Sequence, residues 1–176
     1  KWSLCGPVAA VAMARSRGGN WTVAQAKQYA SQNGLWNADQ GMGGLEAEAK
    51  LLRGMGYAAK TSAADWDAIT RDVATGNPVS LSTTFIDGGH YVVLEKYDPQ
   101  TGKFKVGGLG NVLKKSTGRG QWYSAQELRE LGGINGALHF DSPASPVASV
   151  VTADPEAAPS SSGAASPPVP APVTPS

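Results

Sequence analysis

Apolar residues recur at helical spacing through the first half of the chain. Val8, Val11 and Ala12 follow Gly6-Pro7, so a helix is predicted to begin just after Cys5, with proline in the first turn where its missing N–H is tolerated. Thr22 and Gln25 have capping-box spacing, and Gly34 follows Tyr29 and Ala30 as the stop of a second helix. Gly43-Gly44 lead into a third, Leu45 to Arg53, with Leu51, Leu52 and Met55 as its apolar stripe and Gly54 or Gly56 as its end. Ser62 with Asp65 opens a fourth, running through Trp66, Ile69 and Val73 to Gly76.

The second half changes to short β-branched and aromatic segments. Val79 to Thr84, His90 to Tyr97 and Lys103 to Val106 read as strands. Asp98-Pro99-Gln100-Thr101-Gly102 is a strong turn, so the last two are expected to form a hairpin with Tyr97 opposite Lys103. Arg119 to Tyr123 is a further candidate strand. Ser124 and Glu127 cap a helix to Leu131, Gly132-Gly133 end it, and Ile134 to Phe140 is the final strand. Helices followed by a mostly antiparallel sheet make an α+β layout.

Composition then divides the chain. Residues 142–176 hold 9 of the 12 prolines, one of the 22 glycines and no aromatic residue, with Asp154 and Glu156 as their charges. Such a segment buries too little apolar area to offset its chain entropy. A domain over 1–141 and a disordered or extended tail over 142–176 are therefore expected. The whole chain has 15 Lys and Arg against 14 Asp and Glu, a balance that argues against a strongly charged nucleic-acid or membrane binder. A single cysteine excludes an internal disulfide, and with 2 histidines a Cys/His zinc site is not expected. The longest apolar run, Pro7 to Ala14, is too short for a membrane span. The chain opens on Lys1 with no signal-peptide pattern, which suggests a processed or excised piece of a larger protein.

Two residues carry candidate chemistry. Cys5 stands at a predicted helix N-terminus, where unpaired N–H groups and the macrodipole favour the thiolate. Gly6 is expected to let another chain approach the sulfur, and Pro7 to fix the helix start. His90 follows Gly88-Gly89 at the head of a strand, where a substrate backbone could pass. Together they suit a nucleophile and its base. A small buried core thiol and a half-exposed strand imidazole are the plainer alternatives. His139 lacks such a setting and reads as structural.

Trp2-Ser3-Leu4-Cys5-Gly6-Pro7-Val8-Ala9-Ala10 and Gly88-Gly89-His90-Tyr91-Val92-Val93-Leu94 resemble the two signature blocks of papain-like cysteine peptidases. The nearest group is the bacteriocin-processing (double-glycine) peptidases, and the spacing of the blocks suits it better than CHAP or NlpC amidases. The resemblance implies a papain-like α+β fold, a Cys5 nucleophile, a His90 base, and no metal or organic cofactor. It implies a protein or a peptidoglycan peptide as substrate. The 132–137 stretch and the Pro-rich continuation also resemble domains of bacteriophage tail tape-measure proteins. That likeness implies a virion or bacterial-envelope location and tail subunits as partners. A catalytically inactive structural or binding module of such a tail is the competing expectation.

The family pattern supplies a third residue, Asp or Asn, after the histidine to hold its tautomer. Here the corresponding region reads Val106-Gly107-Gly108-Leu109-Gly110-Asn111. A bulge among the glycines would set Asn111 beside His90; a backbone carbonyl or water is the alternative orienter. The family's oxyanion glutamine would fall before Lys1. Lys103, Lys105, Lys114, Lys115 and Arg119 form a basic stretch, better read as a solvated hairpin face than as a nucleic-acid site.

Overall fold

The computed structural model describes residues 2–108 and 121–141, with the Trp2 side chain set aside. Asn111, Lys114, Lys115, Arg119 and the segment 142–176 lie outside the described residues, as does the expected boundary after 141. A 3-10 turn, Trp2–Leu4, leads into α1 (Cys5–Arg15), α2 (Val23–Gln32), the short pair β1 (Trp36–Asn37) and β2 (Gly41–Met42), and α3 (Leu45–Gly54). Then follow β3 (Ala59–Ser62), α4 (Trp66–Ala74), β4 (Val79–Thr83), β5 (His90–Asp98), β6 (Lys103–Gly107), β7 (Trp122–Ser124), α5 (Ala125–Leu131) and β8 (Ile134–Phe140). The main sheet runs β3-β8-β4-β5-β6-β7, antiparallel at each step. The expected α+β class is the one found.

Local chemistry sets the helix starts. Thr22 and Gln25 form the reciprocal capping box, with Gln25 N–H donating to Thr22 Oγ1 at 3.2 Å and Thr22 N–H to Gln25 Oε1 at 2.8 Å. Ser124 Oγ accepts from Glu127 N–H at 3.1 Å and starts α5.

The structure departs from the expected cap of α4. Asp65 is itself the N-cap, accepting from Asp67 N–H at 3.0 Å. Ser62 instead ends β3, opposite Ala137 of β8. Four residues with one buried position gave no strand pattern, and pairing along β8 overrides that weak local signal.

The hairpin also differs. Asp98 faces Lys103 and Tyr97 faces Phe104, one step from the expected Tyr97–Lys103 pairing. Asp98 causes this by folding the turn around itself: its carbonyl accepts from Gly102 N–H at 2.8 Å and its carboxylate from Gln100 N–H at 2.9 Å. A bulge between Leu94 and Lys96 then resets the register, so that Val93 meets Gly107.

Each face of the sheet has its own core. Tyr91, Val93, Leu138 and Phe140 pack with α1, α2 and α3 through Met13, Ala26, Leu51 and Leu52. Val92, Leu94, Val79, Leu81 and Ala137 pack on the other face with Ile69 and Val73 of α4 and Leu128 of α5. Coverage on both faces explains why β5 reads as a continuous apolar run and not an alternation. Leu51 and Leu52 are fully buried, each contributing about 2 kcal/mol of transfer free energy.

Candidate active site

Cys5 is the first residue of α1 and is half-buried. Leu4 at the N-cap position makes no side-chain hydrogen bond, so the N-cap side chain leaves the opening N–H groups of this helix to other partners. The turn that delivers Cys5 is braced by β1 and β2. Trp36 Nε1–H donates to the Ser3 carbonyl at 2.5 Å. Gly41, at φ +75°, lies so close that a Cβ there would sit 3.2 Å from the same oxygen. Gly6 serves a different contact from the expected one. A Cβ on Gly6 would fall 2.6 Å from Met42 Cβ, so the missing side chain admits Met42 of this same chain and not a visiting backbone.

His90 begins β5 after two glycines of positive φ, Gly88 at +86° and Gly89 at +80°. Its carbonyl accepts from Thr83 Oγ1 at 3.0 Å. On the ring, Nε2 lies 2.5 Å from the Gly108 carbonyl. A carbonyl only accepts, so Nε2 carries the hydrogen, and the neutral ring keeps its lone pair on Nδ1. The backbone oxygen of Gly108 thus favours this tautomer, and a backbone carbonyl is among the orienters left open from the sequence. Asn111, another of them, is not among the described residues.

Cys5 and His90 line the same cleft, about 340 Å³ in volume. Its α1 wall is apolar, formed by Leu4, Val8 and Ala12 beside Cys5; the facing wall is Tyr91, Glu95 and Gly108 with His90. Leu4 and Val8 are among the few large apolar side chains left exposed. Behind the cleft lies a group that the sequence reading passed over. Glu48 of α3 is fully buried, and its Oε2 accepts from Ser80 Oγ at 3.1 Å. Burial pushes its carboxyl up to about 8; the Ser80 hydroxyl opposes this and the nearby Cys5 adds to it. The Tyr91 phenol is likewise pushed up, first by burial and then by Glu48 and Cys5, against a hydrogen bond with the Gly44 backbone. The signal for Glu48 was present: it lies three and four residues before Leu51 and Leu52, on the apolar stripe itself.

The remaining sequence candidates separate from this site. His139 does not line the cleft; its Nδ1 lies 2.6 Å from Asp72 Oδ2. The described members of the basic stretch have acidic partners, Lys103 with Glu127 at 3.6 Å and Lys105 with Glu95 at 3.4 Å. Among the described residues, no three His, Cys, Asp or Glu side chains gather to hold a metal ion, and no helix is long and apolar enough to cross a membrane. Residues 1–119 match a family model described as "Peptidase_C39 like family". No curated protein matches the chain.

Proposed function

Because the chain belongs to the Peptidase_C39 like family, we propose that it is a thiol-dependent hydrolase, a cysteine peptidase or amidase with Cys5 as nucleophile and His90 as general base. The observation that carries the reading is that both side chains line one cleft, in a chain with a single cysteine. His90 Nδ1 takes the proton of the Cys5 thiol, and the sulfur attacks the carbonyl carbon of the scissile amide. The carbonyl electron pair moves to oxygen, and the Cys5 backbone N–H donates to that oxyanion. Collapse expels the amine, protonated by the His90 imidazolium, and leaves a thioester. Water, deprotonated by His90, then releases the acid and restores the thiol. Through these steps the Gly108 carbonyl keeps the ring in one tautomer. Asn111 retains its orienting role from the sequence alone.

The substrate class that suits this chemistry is a protein or a peptidoglycan peptide. A domain within a larger phage virion or tail protein remains the setting favoured by the 132–137 and Pro-rich likeness. A non-catalytic module of such a tail is the second reading, favoured by a sequence over 106–111 that has no Asp where the family pattern expects one.

Iodoacetamide alkylation at pH 7 decides between the two. The hydrolase reading expects Cys5 to react at least about tenfold faster than free cysteine, and His90→Ala to remove that advantage. An equally slow thiol in both proteins leaves the binding module.

A further inference from the structure

Glu95 is the one Asp, Glu, Lys or Arg among the described residues lining the cleft, and the fold places it there by a specific device. Strand alternation sends Tyr91 and Val93 toward α1, and Val92 and Leu94 to the opposite core. Glu95 is next on the α1 side. The bulge between Leu94 and Lys96 supplies one extra residue, and it allows Tyr97 to return to the core that holds Leu94. Bulges of this kind re-aim a side chain beside a site. Gly107 completes the arrangement, because a Cβ there would overlap Glu95 Oε1. The carboxylate lies across the bare backbone of the cleft wall, with Oε2 3.4 Å from Lys105 Nζ.

We propose that Glu95 is a specificity-determining residue, and that the cleft takes an extended peptide with a Lys or Arg side chain on Glu95 and an aliphatic side chain on the Leu4–Val8–Ala12 wall. The inference rests on the hydrolase reading, for which it names the substrate class. Leu4 at the N-cap and Val8 and Ala12 of α1 are spaced four residues apart, so they form one stripe facing the cleft. Lys105 does not cancel the selection. The Lys105 and Glu95 side chains are 33% and 36% exposed, and water screens an ion pair so wetted, leaving it easily displaced by a competing cation. A substrate cation gains Glu95 as a partner, whereas a substrate carboxylate meets like charge.

The test is binding of labelled peptides to the full chain carrying Cys5→Ala, which retains the cleft and cannot cleave. Each peptide holds one leucine, with Lys, Gln or Glu walked through the neighbouring positions, and is read by fluorescence anisotropy. At one of these positions Lys is expected to bind about tenfold tighter than Glu, with the gap shrinking as ionic strength rises from about 0.05 to 0.5 M. Adding Glu95→Gln should erase the gap and Glu95→Lys should invert it. Gly107→Ala, which keeps the charge but evicts the carboxylate from its place, should narrow it. A gap that survives Glu95→Gln, a preference for Glu in the parent, or no binding of any peptide overturns the proposal. Cleavage by the unmutated chain without charge preference would overturn this inference alone. Charge-selective binding without cleavage would overturn the hydrolase reading alone.

Discussion

His90 and His139 lie in strands that flank β4 in the same sheet, and both are buried, at 6% and 4% exposure. Judged by hydrogen-bond partner, His139 is the better general base, because Asp72 stands 2.6 Å from its Nδ1, while His90 has a backbone carbonyl. Judged by surroundings the order reverses. His90 shares a cleft with the chain's one thiol, whereas His139 ties β8 to α4 and does not line that cleft. A carboxylate on an imidazole orients it equally well as a tether or as a catalyst. The nucleophile and the open space beside the ring are what distinguish the two uses.

The largest expected effect breaks or upholds that contrast. His90→Ala should slow Cys5 alkylation about tenfold or more, while His139→Ala should leave the rate within about twofold and lower unfolding stability by about 1–2 kcal/mol, as loss of a buried imidazole bonded to a part-exposed carboxylate does. Alkylation and urea unfolding measured on both variants check this. Equal loss of thiol reactivity in the two would mean that the histidines act on Cys5 through a shared packing change, and the division between site and tether would fall.

Glu48 differs from the apolar residues around it in carrying an ionisable group. Its folded carboxyl is raised to about 8 from 4.5 by burial, so between these values the native state binds the proton more strongly than the unfolded chain. Stability from this group is complete below about pH 4.5 and declines as pH climbs toward 8, by at most about 1.4 kcal/mol per unit. Glu48→Gln keeps a side-chain acceptor for Ser80 without the ionisation. Relative to wild type it should gain stability between pH 5 and pH 8, by a few kcal/mol in total. Urea midpoints at the two pH values decide the matter, and parallel curves would show that Glu48 is ionised in the fold with its charge compensated.

The parts legible in the sequence were those with a local physical cause. Thr22-Gln25 and Ser124 declared their helices through caps, and Asp98 to Gly102 declared a turn. The Cys5 and His90 blocks pointed to chemistry through residue type and neighbours. What stayed hidden depends on long-range fit. β3 exists because β8 offers it an edge. Glu95 keeps its place on the cleft wall because Gly107 leaves space for its carboxylate, and a bulge beside it returns Tyr97 to the opposite core; neither is announced by the residues before it. The contact on His90 Nε2 comes from a main-chain oxygen, which has no letter in the sequence. The unexpected turn register arises from hydrogen bonds to Asp98, a competition that strand alternation alone does not rank.

The smallest expected effect lies beside the tether. Lys60 is the register partner of His139, and its Nζ lies 3.2 Å from Asp141 Oδ1. Distance alone would rank this pair with His139 and Asp72, but the Lys60 and Asp141 side chains are 60% and 52% exposed. Water screens such a pair, and holding a long lysine chain in one place costs rotamer entropy, so about 0.5 kcal/mol or less should be at stake. Lys60→Ala is therefore expected to shift the urea midpoint by no more than a small fraction of the His139→Ala shift, and to leave Cys5 alkylation unchanged. A loss matching that of His139→Ala would show that the β3–β8 edge and the His139–Asp72 pair stabilise the fold as one unit. Burial would then be the wrong basis for telling tether from surface contact.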